Sequence, residues 1–429
     1  MPVPETDPIA LLLAGRYRDP DSGALLAAES RAVVIEDSLA GREAELVAAL
    51  GAGPGVAVLS DRTTHDVLGA RVERALAGRF DVQSIVLDAG PRADDATVVR
   101  VLAMLAPATD LVVAVGSGTL NDLSKLVAFR HGCPQAIFAT APSMNGYTSL
   151  SASITSNGIK RSFRTRTPAG VYFDLGVLAA APARLIRAGL GDSACRPTAQ
   201  ADWLLSHLLL DRAYREAPFA LLADDERHLF SNTRALLAGD VAVMRHLVRI
   251  LVLSGFGMTI CNGSFPASQG EHLLSHYIEM MRPAGLAHSF HGEQIAVCTV
   301  EMAKLQEQML ERDQPPLLRP TAVDRDQIVR HFGAEIGEEC WRELEHKRFD
   351  AEHTDALNAR LVRRWDAMRT RIGAVAVGAA KLRGLLADAG APIDPQELGW
   401  STELFGQARR HAREIRNRYT FLDLAADAA

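Results

Sequence analysis

Six short apolar runs mark the first 180 residues, at 32–35, 56–60, 84–87, 111–115, 136–139 and 170–173. They are rich in Val, Ile and Leu and do not alternate with polar positions. A run of that kind suits a strand covered on both faces, as in a parallel sheet. Between several of them, over 41–50 and 64–77, apolar residues recur at helical spacing. Thr63, Thr64 and Asp66 supply capping chemistry just after the second run. Strand–helix alternation predicts an open α/β sheet.

After Pro182 the pattern changes. Helical periodicity dominates over 202–214, 241–253, 294–310 and 354–386, and β-like runs almost vanish. The stretch 311–371 mixes both signs of charge, as solvated helix faces do. No repeat and no low-complexity segment stands out. The pattern predicts an α/β domain over 1–181 and an all-helical domain over 182–429. A chain of 429 residues is long enough for both.

Charge and cysteine usage narrow the partners. Lys plus Arg is 46 against 52 Asp plus Glu, a net charge of -6. Such a chain has no global field for nucleic acid or an anionic membrane, so an anionic ligand must be held by local donors. Five widely spaced cysteines, with no CxxC pair, argue against a disulfide framework and a Cys-rich zinc site. The start, MPVPETDPIA, lacks the basic and apolar regions of a signal peptide. Pro107 and Asp110 interrupt the apolar stretch at 101–116, and Arg249 interrupts the one at 247–261. Neither is expected to give the ~20 apolar residues of a spanning helix. The expectation is a cytoplasmic protein without nucleic-acid or membrane partners.

Two turns carry candidate nucleotide chemistry. The run 111–115 leads into Gly116-Ser117-Gly118-Thr119-Leu120-Asn121-Asp122, and a helical pattern follows. Strand, glycine turn and helix make an anion site of a helix N-terminus. The motif is neither a Walker A loop nor a full GxGxxG, because Asn121 takes the last glycine position. A second polar turn, Thr140-Ala141-Pro142-Ser143-Met144-Asn145-Gly146-Tyr147-Thr148-Ser149, follows the next strand. Open sheets bind ligands at that end of their strands. Asp61 ends the second run, where it suits either a ribose hydroxyl or a helix cap.

Further along, His272 and His276 stand four apart in a helical pattern, so they share one face. His288 and His291 follow, and Asp192 stands upstream in Gly189-Leu190-Gly191-Asp192. One carboxylate with two or three imidazoles is a plausible divalent-metal set. It is not HExxH, since the glutamate precedes the first histidine.

The order GSGTLND, TAPSMNGYTS, AGLGD, SQGEHLLSHYIEM and FHGE resembles the sn-glycerol-1-phosphate dehydrogenases, in the iron-containing alcohol dehydrogenase and dehydroquinate synthase superfamily. The bacterial branch associated with arabinose operons is most similar, and the ending RNRYTFLDLA at 416–425 also resembles it. The resemblance runs from about residue 30 to 425 and implies a dehydroquinate synthase-like fold. It implies NAD(P)H held by Gly116, Ser117, Gly118, Thr119 and Leu120, by Thr140, Ala141, Pro142 and Ser143, and by Ser149 and Asp61. It implies one divalent metal, zinc, nickel or iron, on Asp192, His272 and His291. Asp192, His276 and Asn145 are the implied substrate contacts, and Asp192, His272, His276 and His291 the implied catalytic set. The implied reaction is reduction of dihydroxyacetone phosphate to sn-glycerol 1-phosphate, and its reverse, by a homodimer. Two positions depart from the family pattern: Asn145 stands where an aspartate is usual, and Arg196 where a lysine is usual. The first keeps the alternative of another polyol or sugar phosphate open, beside a dehydroquinate synthase-like enzyme. Lys160 and Arg161 are candidates for the substrate phosphate.

Overall fold

The computed structural model describes residues 6–156 and 159–428, and the side chain of Lys160 lies outside the described residues. The chain forms two compact units. The first joins Met1–Ser193 to Glu216–Gly263, and the second joins Ala194–Arg215 to Ser264–Ala429.

A six-stranded, fully parallel sheet centres the first unit: β1 (Ala32–Glu36), β2 (Gly55–Asp61), β3 (Asp81–Leu87), β4 (Leu111–Gly116), β5 (Gln135–Ala139) and β6 (Gly170–Asp174). All six coincide with the apolar runs of the sequence. Their order across the sheet is β1-β6-β5-β4-β2-β3. Successive side chains of β2 and β4 serve opposite cores. Val56, Val58, Leu111, Val113 and Val115 pack on one face, and Ala57, Leu59 and Val112 on the other. Burial on both faces is why these runs carry no polar alternation.

From β2 the chain moves outward to β3, whereas from β4 it moves the other way to β5. The strand order therefore reverses between β2 and β4. In an open α/β sheet the crevice at the C-terminal ends of such a pair is where ligands bind. The glycine turn lies at that end of β4 and opens α1 (Gly118–His131). An antiparallel hairpin, Ser151–Ser156 with Ile159–Arg164, was not anticipated from the sequence. Its strands are short, the first rich in serine and the second in basic residues, so neither carries an apolar run.

The division departs from the single cut expected at 181/182. Most of α2 (Ala183–Ala194) and the whole segment 216–263 belong to the first unit, whereas α3 (Arg196–Leu210) belongs to the second. Periodicity reports that a segment is helical and amphipathic, not which core its apolar face meets. The segment includes α4 (Val241–Ile260), which packs on β1 and on the helix Leu175–Ala179. The expectation that no stretch reaches spanning length needs correction. By length and composition α4 is apolar enough to cross a membrane. In the fold it is a core helix, with 61% of its most apolar window buried. Arg249, the residue that interrupts it, donates to Asp225 at 2.9 Å and to Asp7 at 2.8 Å. The partly buried guanidinium and the buried carboxylate of Asp225 are tolerated there because they pair in this way.

The second unit is helical. It contains α3, then α5 (Gly270–Met280) and α6 (His291–Leu310), followed by further helices to the C-terminus. The pattern at 354–386 resolves into two helices, Ala351–Gly373 and Ala379–Asp388. One continuous core, including Leu205, Leu274, Tyr277, Met302, Trp365 and Phe421, fills the unit. All five cysteines are free thiols.

Candidate active site

In the first unit the cofactor candidates stand at the C-terminal ends of three neighbouring strands, β2, β4 and β5. Ser117 is the N-cap of α1 and makes no side-chain capping bond. The amides of Gly118, Thr119 and Leu120 thus form a helix N-terminus of the kind that cradles an anion. Gly116 is required by packing. A Cβ there would stand 2.3 Å from Leu120 Cδ1 and 2.7 Å from Leu120 Cβ. Asp61 closes β2, the neighbouring strand. Its Oδ1 accepts from Thr64 N at 2.8 Å, while its own N–H donates to Thr64 Oγ1 at 3.0 Å. The capping reading of Asp61 is therefore realised. The cap also pins its carboxylate at the C-terminal end of the strand.

The second turn, 140–149, leaves β5 beside the first, with Thr140 N donating to Gly116 O at 3.0 Å. Tyr147 Oη donates to Ala141 O at 2.6 Å, which closes the turn on itself. Thr148 Oγ1 donates to Val252 O on α4 at 2.6 Å. The main organiser is Lys125, fully buried on α1. Its ammonium donates to Gly146 O at 2.5 Å, Ser149 O at 3.1 Å, Ser149 Oγ at 3.3 Å and Ser151 O at 3.4 Å. Burial pulls this ammonium from its ordinary 10.5 down to about 8.

Helix α2 presses against the same turn. A Cβ on Gly189 would stand 1.6 Å from Pro142 O, so only glycine fits. Three residues on, Asp192 Oδ2 accepts from Asn145 N at 2.8 Å. The glycine sets the approach and the aspartate locks it, which accounts for the spacing in AGLGD.

In the second unit the three predicted histidines come together. Ring centroids lie 5.1 Å apart for His272 and His291, 5.8 Å for His272 and His276, and 6.1 Å for His276 and His291. Helix α5 presents His272 and His276 one turn apart, and His291 begins α6. Ser275 Oγ donates to Gln294 Oε1 at 2.7 Å and ties the two helices. Glu271, which has no exposed surface, accepts from His272 Nδ1 at 2.9 Å and from Gln269 N at 2.7 Å. A carboxylate only accepts, so the proton of neutral His272 sits on Nδ1 and Nε2 carries the lone pair. That is the orientation a metal-ligating imidazole needs, and the donors present fit a divalent cation. Asp192 stands two residues before α2 ends, and Cys195, three residues after Asp192, has its sulfur within 4.8 Å of donor atoms of Glu271 and His272.

A family model for iron-containing alcohol dehydrogenases matches residues 34–182. A glycerol-1-phosphate dehydrogenase (NAD(P)+) of Bacillus velezensis is 30% identical over 386 residues, covering 87% of this chain and 85% of that protein. The chain belongs to the glycerol-1-phosphate dehydrogenase family. Members of the same name include one from Pyrococcus furiosus, 32% identical over 281 residues, which are 64% of this chain and 78% of that one. The family makes the chain an oxidoreductase acting on CH–OH groups with NAD(P) and a divalent metal. Two solved structures share its fold. A probable glycerol dehydrogenase from Sinorhizobium meliloti has a TM-score of 0.61 at 18% identity, covering 93% of this chain and 96% of that one. The glycerol dehydrogenase of Schizosaccharomyces pombe has a TM-score of 0.63 at 17% identity, covering 93% and 89%.

Family motifs alone did not single out Lys125, Gly189 or Glu271. Lys125 had a visible signal, as a lone cation in the apolar pattern 123–128. Gly189 and Glu271 lay inside quoted motifs; the role of Gly189 needs Pro142, 47 residues away, and that of Glu271 needs the orientation of its neighbour His272, and only the fold supplies either.

Proposed function

We propose that this chain reduces dihydroxyacetone phosphate to sn-glycerol 1-phosphate with NAD(P)H, and runs the reverse oxidation. The observation that carries the reading is the buried Glu271–His272 pair within the three-histidine cluster. It is joined to likeness over most of the chain to proteins named for that reaction. In this reading the amides of Gly118, Thr119 and Leu120 take the cofactor's pyrophosphate, and Thr140, Ala141, Pro142, Ser143 and Ser149 border the rest. Asp61 faces the ribose, where its charge disfavours a 2′-phosphate and so favours NADH. Asp192, His272 and His291 hold the divalent ion. When bound, that ion supplies Lewis-acid polarisation of the substrate carbonyl. Asn145 hydrogen-bonds a substrate hydroxyl, with a donor where an aspartate would only accept. His276, one turn from His272, gives a proton to the carbonyl oxygen as hydride reaches the carbonyl carbon. In oxidation it takes the proton back. The balance is ketone plus NAD(P)H plus a proton to alcohol plus NAD(P)+.

The test is NADH oxidation with dihydroxyacetone phosphate after chelation and separate return of zinc, nickel or ferrous iron. Metal-dependent turnover that falls at least 100-fold in His272→Ala is expected, since removing a ligand costs more than removing its supporting partner. No turnover with any metal, in protein that still binds NADH, would overturn the substrate assignment. The substitution of aspartate by Asn145 then directs the search to other polyol phosphates.

A further inference from the structure

The C-terminal motif 416–425 is not used by this mechanism, yet it converges on the start of the histidine-bearing helix. Arg418 donates through Nη1 to the carbonyl of Ser268 and through Nη2 to Ser264 Oγ at 2.8 Å. Its guanidinium also lies over the Phe265 ring, 5.0 Å from the centroid. One side chain thereby grips both ends of the turn 264–268, which leads directly into α5. Three residues on, Phe421 N donates to Asp202 Oδ1 at 3.0 Å, while Oδ2 of the same carboxylate accepts from Gly270 N at 2.9 Å. Asp202 thus bridges the first residue of α5 to the C-terminal segment. Gln306 on α6 donates to Asp202 Oδ1 at 3.1 Å and to Thr198 O at 2.9 Å, so the helix that begins with His291 shares the bridge.

The motif is itself held rigid. Buried Lys347 donates to Arg418 O at 2.7 Å and pairs with Asp423 at 2.8 Å. Asn417 N donates to Glu343 Oε2 at 2.8 Å. Thr420 N donates to Asp423 Oδ2 at 2.9 Å and caps the last helix, Phe421–Asp427. The carboxylate of Glu271 accepts from Gln269 N, inside the same gripped stretch, and from His272. A shift of the 264–270 backbone therefore moves Glu271 and rotates His272.

We propose that Arg418 is a positioning residue for the divalent-metal site: with Asp202 it clamps the 264–270 backbone, so that Glu271 and His272 are preset before the metal binds. The inference rests on the assignment of His272 as a metal ligand, but not on the identity of the substrate. Groups that hydrogen-bond a metal ligand directly, as Glu271 does His272, typically govern metal affinity by about 10–100-fold, and Arg418 acts one step further out through the backbone that carries Glu271. Arginine is suited to the role because its planar fork reaches two acceptors while its face stacks on an aromatic ring. A lysine offers one point of contact.

The experiment measures zinc affinity of the full chain by competition with a chromogenic chelator, beside NADH affinity and Tm. Arg418→Met should weaken zinc binding about 10-fold or more, with Arg418→Lys intermediate and NADH affinity unchanged in both. Met368→Ala, a core truncation on Ala351–Gly373, provides a comparable loss of Tm and should leave zinc affinity unchanged. Unchanged zinc affinity in both Arg418 variants, or an equal loss in Met368→Ala, would overturn the clamp. If Arg418→Met does not fold, Arg418→Lys carries the comparison. A failed substrate assignment shows separately, as wild-type protein that binds zinc and NADH but does not turn over dihydroxyacetone phosphate.

Discussion

Gly189 and Lys125 show how single side chains, or the lack of one, set the geometry of the site. At Gly189 a methyl group would enter the carbonyl oxygen of Pro142, where backbone cannot rotate away as a side chain can. Gly189→Ala must therefore push α2 off the turn and stretch the bond from Asn145 N to Asp192. Overpacking of this kind costs about 1–3 kcal/mol or more. The expected outcome is a lower Tm together with weakened metal binding, measured by thermal unfolding and chelator competition. An alanine variant that keeps both at wild-type values would show that the turn relaxes without cost. At Lys125 the ammonium is held by three backbone carbonyls and the Ser149 hydroxyl, and burial lowers its pKa to about 8. Between about 8 and 10.5 the unfolded chain binds more protons at this site than the folded chain. Stability contributed by this group therefore rises with pH across that window. Comparing wild type with Lys125→Met, the Tm difference should move in favour of wild type from pH 8 to pH 10.5. A constant difference would refute the lowered pKa. The substitution should also loosen NADH binding, because the carbonyls of Gly146, Ser149 and Ser151 lose their common donor.

Among the elements, the central strands were legible because burial on both faces leaves an unbroken apolar signature, the edge strands β1 and β3 by their short apolar runs alone, and each of the six runs became a strand of the sheet. The helices were legible as periodicities, but their ends were not. The pattern 202–214 ends in the structure at Leu210, where Asp211 adopts a left-handed conformation. The pattern 354–386 breaks after Gly373. Helix α4 is the instructive case. Arg249 reads as an interruption of an apolar stretch, yet the fold pairs it with Asp225 and Asp7, as it pairs Arg245 with Asp37. Arg249→Met leaves buried Asp225 to His246 alone and should cost about 1–3 kcal/mol, between an exposed pair and a fully buried one, because the Arg249 side chain is 20% exposed. Urea denaturation gives that number directly, and a loss below about 1 kcal/mol would mean that solvent reaches the pair.

For the molecule as a whole, the first unit is discontinuous in sequence. Its sheet needs α4, contributed from beyond the first segment of the second unit, to cover β1 and the helix Leu175–Ala179. A fragment ending at residue 181, the boundary that composition suggested, lacks that cover and exposes the apolar face beneath it. It should show no cooperative thermal transition by circular dichroism and should bind a hydrophobic dye. A fragment extended to residue 263 should recover a transition and bind NADH. Cooperative melting of the 1–181 fragment would show that α4 is dispensable.

The sequence by itself determined the parallel α/β half, the helical remainder and the family. It also placed His272 and His276 on one helix face, because strand burial, helical spacing and short motifs are properties of neighbouring residues. The positions of His291 beside His272, of Glu271 behind it and of Lys125 under the second turn were decided by the fold. So were the allegiance of 216–263 to the first unit and the grip of Arg418 on 264–268. Apart from Glu271 and His272, neighbours whose mutual orientation the fold sets, each of these joins residues well separated along the chain through packing and hydrogen bonds. Local pattern records that a residue is apolar, charged or small, and only the folded backbone determines which partner it meets.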